Sequence, residues 1–227
     1  MKSFSRSLLV PTLLMAALSP ARAQDSHPAP GTSSAPAAGH RPALLRVGMG
    51  VSLSSSSDFP VLRTHLEYAP QFGQHVRLGS RLAYLGGTEF KRYAFSSSSG
   101  SSEFAVPHSY RAVNAEQEIY WLPFGANKRV EFGVGGGGFL SYYRATSVAA
   151  ITYGLDANYR VETFSYVPRR QQNVHAGFIT SLYVDMALDP AARWRLGGRL
   201  SLQSGVSDAL NLNNSAPGGQ LQLSRAL

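Results

Sequence analysis

Cysteine is absent from all 227 residues, which excludes disulfide frameworks, thiolate metal sites and thiol nucleophiles together and fits a chain that matures in an oxidising compartment. Long apolar runs are missing as well. Beyond the first 23 residues no segment approaches the roughly 18 apolar residues that a helix needs to cross a bilayer. Residence in a membrane must therefore rest on strands closed into a barrel. Charged residues make up only 15% of the chain, and the basic excess of +8 is spread along it rather than gathered in a stripe with interleaved aromatics. That distribution argues against a nucleic-acid partner. Helical periodicity is scarce after residue 43.

What is present begins with an export pattern. Lys2 and Arg6 precede an apolar run over 7–18 that ends in Ala21, Arg22 and Ala23, the charged start, short apolar middle and small-residue end of a secretory signal. Cleavage before Gln24 by the Sec pathway is the expectation. It would remove three basic residues and leave 204 residues with a formal charge of +5. Residues 24–42, rich in Pro, Ala, Ser and Gly, read as a disordered leader, and the fold is expected over 43–227.

From there, segments of about ten residues alternate apolar with polar or small side chains. The clearest is 45–53: Leu45, Val47, Met49, Val51 and Leu53 share one face, and Arg46, Gly48, Gly50 and Ser52 the other. A period of two means strand. The same rule gives strands near 44–53, 61–69, 75–84, 111–122, 130–143, 173–188, 194–203 and 219–227, an even set of eight. Three connections are tight and rich in turn residues, at 70–74, 123–128 and 189–192. Four are longer and polar, at 54–60, 85–110, 144–172 and 204–218. Short turns at one end and long loops at the other are how outer-membrane barrels are connected.

The two faces differ sharply. The apolar face carries Arg225 as its one charge, whereas the opposite face carries Arg46, Arg63, Arg77, Arg81, Arg195 and Arg199 against Glu67, Glu116, Glu118, Glu131 and Asp185. A soluble barrel turns its apolar face inward and a membrane barrel turns it outward. In an eight-stranded barrel side chains fill the interior, so nearly balanced charges predict a lumen plugged by ion pairs and closed to conduction. Tyr68, Trp121, Phe132 and Trp194 lie on the apolar face near short turns, and Tyr84 and Tyr142 near long loops, predicting two aromatic girdles at headgroup level.

With these features in place, the chain resembles the small outer-membrane β-barrel proteins. The export signal, the eight alternating strands, the glycine-rich strand at 132–138 and the strand-to-turn junction at 121–125 carry the likeness. That superfamily includes the OmpA transmembrane domain and OmpX-like barrels, and the Bacteroidetes-type barrels look most similar. The resemblance implies an all-β, eight-stranded antiparallel up-and-down transmembrane barrel with both termini in the periplasm, handled by the outer-membrane assembly machinery. It departs at Leu227, where such proteins usually end in an aromatic residue.

Motifs for chemistry are weak. Residues 133–138 spell G-x-G-x-x-G, but the alternation continues through 139–143 and no helix opens there, so the glycines read as room for bulky lumen side chains or for bending. His65 and Glu67 spell H-x-E without the downstream cysteines that a deaminase zinc site needs. His65, His75 and His175 are expected on the lumen face as hydrogen-bonded residues, with no metal or cofactor. His175, Ser181 and Asp185 share a strand face but are too far apart along it for a triad. The long loops carry Lys91, Arg92, Arg169 and Arg170 with several aromatics, binding-type residues suited to bridging lipopolysaccharide phosphates. The reading is a non-enzymatic, monomeric outer-membrane barrel acting in envelope structure or loop-mediated surface interaction. The competing readings are a barrel enzyme acting on lipid A and a secreted soluble ligand carrier.

Overall fold

The computed structural model describes residues 43–54, 57–97, 100–126, 128–205 and 216–227. The expected signal segment and leader lie outside these residues. Strands run as β1 (Leu44–Ser54), β2 (Ser57–Ala69), the two-residue β3 (Gln71–Phe72), β4 (Val76–Ser97), β5 (Gly100–Trp121), β6 (Val130–Leu155), β7 (Val161–Ala187), β8 (Trp194–Gly205) and β9 (Ala216–Ala226). Every pairing is antiparallel, and all but β1–β9 and β2–β4 join neighbours in sequence. The β1–β9 and β2–β4 pairings close eight strands into a ring, with β3 a small flap on the turn before β4. Closure leaves no unpaired edge, the condition for β-structure in hydrocarbon.

The registers fix the stagger of the ring. A circuit from Ala216 passes through Gln203, Ile179, Gly137, Glu118 and Gly79. It continues to Ala69, one step past the Tyr68–Ser80 pair, then to Leu44, and returns to β9 at Ala226, ten residues further on. Such a stagger in eight strands tilts them by roughly 40° and leaves an interior just wide enough for packed side chains.

Sequence parity becomes inside and outside. The eleven charged residues of the polar face point into the lumen, all at or below 4% exposure, while Leu82, Ile119, Leu200 and Leu221 on the opposite face are 58–69% exposed. Phe132 and Tyr142 stand ten residues apart on β6. At about 3.3 Å per residue and a tilt of roughly 40°, the girdles are separated by about 25 Å, the height of an outer-membrane hydrocarbon band.

The structure corrects the expected loops. Most described residues of 85–110 and 144–172 are strand: β4 and β5 stay paired to Ser97–Gly100, and β6 and β7 stay paired to Leu155–Val161 with two register shifts. The last β5–β6 pair is Ser109–Thr146, so above it the strands continue as two separate hairpin ribbons. The less exposed side of the β4–β5 ribbon carries Glu89 and Lys91 beside Tyr93, Phe95 and Phe104, so the alternation of apolar with polar is broken and periodicity misses it. Likewise β2 starts at Ser57 and β9 at Ala216, inside the expected loops 54–60 and 204–218.

Candidate functional site

The lumen is one connected network of ions. Glu67 sits near its middle, with Oε1 accepting from Arg46 Nη1 (2.9 Å) and Oε2 from Arg81 Nε (2.9 Å) and Arg199 Nη1 (2.6 Å). Arg81 also donates to Glu116 (2.6 Å), to Glu118 and to the Tyr120 hydroxyl (2.7 Å). Arg63 donates to Glu116 at 2.5 Å. Toward the short turns, Arg46 reaches Asp185 (3.0 Å), and Glu131 gathers Arg77 (3.2 Å), Arg46 (3.6 Å) and Arg195 (3.9 Å). The structure thus brings all eleven lumen charges together, from every strand of the ring but β9. That strand contributes neutral donors, Gln222 Nε2 to Asp185 at 2.7 Å and Ser224 Oγ to Asp185 at 3.5 Å.

Burying so many charges is tolerable only because each has a partner of opposite sign, and Arg46, Arg81, Glu67 and Glu131 have three apiece. Two tyrosines complete the arrangement. Tyr120 accepts from Arg81 and Arg199, and Tyr183 donates to Glu131 at 2.9 Å while the Arg46 guanidinium lies 4.2 Å from its ring centre. Their bulk explains the glycines. A Cβ on Gly135 or Gly79 would run into the Tyr120 ring, and one on Gly133 into the Tyr183 ring. The inward glycines of 133–138 therefore make room, while Gly136 and Gly138 face outward. Tyr120, Tyr183 and Gln222 were not among the residues singled out from the sequence, although each shares the parity of its charged neighbours. Toward the ribbons the plug gives way to an apolar layer of Phe59, Val61, Ala83, Leu85, Tyr110 and Ala112.

The histidines separate. His65 is buried and faces inward, but neither ring nitrogen has a hydrogen-bond partner, which corrects the expected hydrogen-bonded role. His75 is not in the lumen. The β4 pairing in the ring begins beyond it, so it sits exposed on the turn, with Nδ1 2.8 Å from the carbonyl oxygen of Leu122. His175 sets its ring edge-on to Phe139 and Tyr143. Ser181 donates to Glu118 and Asp185 accepts from Arg46, so both groups are engaged in the plug, apart from His175. No group of three or more His, Cys, Asp or Glu with metal-holding geometry occurs among the described residues.

On the outside, Tyr68, Trp121 and Trp194 stand exposed at the short-turn end and Tyr84 and Tyr142 at the ribbon end, while Phe132 is half-buried against Phe124. Arg225 lies over the Trp194 ring at 5.3 Å. Arg225 is not the only outward cation: Arg111 shares the outward parity of β5, above the outer girdle. The expected loop cations lie on strands. Lys91 and Arg92 are on the β4 ribbon, with Arg92 facing Glu103 at 3.7 Å, and Arg169 and Arg170 are exposed on β7. Aromatic rings hold the two ribbons together: Phe104 stacks on Phe164 (4.1 Å, 3°) and Phe95 tilts against Tyr153 (4.3 Å, 50°). A lone hairpin is marginal in water, so each ribbon leans on the other.

At the short turns, Asp189 Oδ1 accepts the Trp194 amide at 2.8 Å, and this backbone hydrogen bond holds its carboxyl below the usual range.

No family model matches the chain, and no curated protein sequence matches it. Solved structures do. A major outer membrane protein from Thermus thermophilus aligns over 82% of this chain and 98% of its own at a TM-score of 0.50 and 10% identity. Ail, the attachment invasion locus protein of Yersinia pestis, aligns over 82% and 98% at 0.46 and 8%. OprG from Pseudomonas aeruginosa aligns over 83% and 95% at 0.45 and 8%. At such identities likeness concerns the fold alone. The closed ring of eight antiparallel strands, its charges inside and its apolar band outside, is the fold of the small eight-stranded, OmpA/OmpX-like outer-membrane β-barrel proteins.

Proposed function

We propose that this chain is exported, with a signal cleaved before Gln24, and resides in the outer membrane as a monomeric, non-enzymatic barrel. Its plugged lumen anchors a rigid surface platform made by the two ribbons. The observation that carries this reading is the inside-out distribution of side chains. Eleven buried, mutually paired charges fill the interior while the exterior offers leucine, valine and aromatic side chains. In water that exterior would be one continuous apolar patch, far beyond what a soluble monomer exposes. In a bilayer it is the lipid contact.

The plug supports a structural role rather than transport, because a ring of eight strands leaves an interior only wide enough for packed side chains, and these are buried ions held to one another. The ribbons support surface interaction. They hold aromatic and cationic side chains on paired strands clear of the bilayer, with outer-leaflet lipopolysaccharide as the nearest partner. Insertion would be the work of the outer-membrane assembly machinery.

The test is to fractionate cells expressing the full chain and run the outer-membrane fraction on a denaturing gel with and without boiling. A band in that fraction whose mobility shifts on heating is the expected result. A soluble periplasmic band without a shift would overturn the membrane reading.

A further inference from the structure

The first outward pair above the Val113–Tyr142 pair of the outer girdle is Arg111 on β5 directly opposite Arg144 on β6. Like charges directly opposite one another destabilise a sheet. The other like-charged pair set directly opposite among the described pairings, Glu131 and Asp185 in the lumen, is bridged by the Arg46 guanidinium. The cations of the plug face carboxylates, Arg92 faces Glu103, and Arg225 rests on Trp194. Arg111 and Arg144 have no carboxylate partner among the described residues, and on β7 Arg170, opposite Thr146, adds a third outward cation. Gln172 lies opposite Arg144. Tyr142 fixes one fork of the patch: its hydroxyl accepts from Arg144 Nε at 3.0 Å and lies 3.4 Å from Gln172 Oε1, with the Arg144 guanidinium 5.7 Å from its ring centre. Two residues above the girdle on strands tilted by roughly 40°, the pair stands about 5 Å beyond the hydrocarbon band, at the level of lipid headgroups.

We propose that Arg111 and Arg144, with Arg170, Gln172 and Tyr142 around them, form a binding site for the phosphate of an outer-leaflet lipid A-type headgroup. A phosphate monoester carries nearly two negative charges and three acceptor oxygens, so one group can take both guanidinium forks and turn their repulsion into a bridge. Arginine rather than lysine at both positions fits such two-pronged recognition. The proposal rests on the membrane reading above, and it gives that reading one defined lipid contact.

The test uses the full mature chain folded into phosphatidylcholine vesicles, with and without lipid A. The readout is the temperature at which the heat-induced mobility change occurs as lipid A is titrated in. Lipid A should raise that temperature for the unsubstituted chain. Arg111→Gln and Arg144→Gln should each weaken the apparent affinity by about tenfold, as expected for the loss of a charge-assisted contact, and the double substitution should remove the response. Arg225→Gln, at the other rim, should leave it unchanged, and inorganic phosphate added to plain vesicles should not reproduce it. A double variant that responds like the unsubstituted chain, or an equal loss in Arg225→Gln, overturns the site. An equal effect of inorganic phosphate overturns its assignment to a lipid. Failure of the unsubstituted chain to enter vesicles overturns the membrane reading and this site with it, whereas insertion without a lipid A response overturns the site alone.

Discussion

Replacing Glu67 by glutamine keeps the shape of the side chain and removes one charge from the middle of the lumen. Glu67 takes three arginines and is fully buried. Arg46 would retain Asp185, and Arg81 would retain Glu116 and Glu118, but Arg199 would lose its ion pair and keep only the Tyr120 hydroxyl at 2.9 Å. Removing one partner of a buried pair costs about 3–5 kcal/mol. With two of the three arginines still paired, Glu67→Gln should fall near the low end, about 3 kcal/mol. Glu103→Gln is the control. It removes an ion pair of 3.7 Å whose side chains are 79% and 63% exposed, and such a pair is worth less than about 0.5 kcal/mol. Urea unfolding of the chain in vesicles, followed by the emission of Trp121 and Trp194, gives both values, since the two indoles share the inner girdle. Adding Arg199→Gln to Glu67→Gln should cost less than the two single losses together, because the stranded cation is then gone. A loss for Glu67→Gln no larger than that of the control would mean that water reaches these charges, and the description of the lumen as a plug would fail.

Glycine substitutions should separate the two faces of β6. Gly137→Ala puts a methyl group onto the backbone carbonyl of Gln117 and should cost about 1–3 kcal/mol in the same assay, while Gly136→Ala, facing outward with no atom within 4 Å, should be neutral or slightly stabilising. Phe104→Ser should loosen the ribbons through loss of the Phe164 stack, so that limited proteolysis cuts within 88–108 and leaves the heat-induced mobility shift intact. Asp189 has a lowered carboxyl pKa in the folded chain, so its contribution to stability is present above the ordinary carboxylate range and disappears as pH falls through the lowered value. Asp189→Asn should therefore be less stable than the unsubstituted chain at neutral pH and equal to it in strong acid, as read by urea midpoints across pH.

Strand parity was open to inspection because it is a local property. Arg46, Glu67, Arg81, Glu116 and their companions could be placed on one face from the period of two, and Tyr84 and Trp121 on the other, since successive side chains of any strand must alternate. Pairing was not. Arg46 meets Asp185 across 139 positions of sequence, and only the registers of a closed ring decide which arginine faces which carboxylate. The ribbons escaped for another reason. The less exposed face of the β4–β5 ribbon mixes Glu89 and Lys91 with Tyr93, Phe95, Phe104 and Val106, so its sequence lacks the clean apolar–polar alternation that marks a half-buried strand. His75 shares the lumen parity of β4 but lies beyond the start of its ring pairing, and parity alone carries no information about where a ring ends.

That this chain builds strands, that eight of them make the barrel, and that one face of each is apolar and the other charged all follow from neighbours along the chain and the two-residue repeat of the backbone. The rest came from closure of the sheet. It set the ten-residue stagger that makes the eleven ions one network, the stacking of the two ribbons, and the placement of Arg111 opposite Arg144 at headgroup level. Each depends on residues far apart in sequence being brought to the same height, and height in a tilted, closed sheet is fixed only when the last strand meets the first.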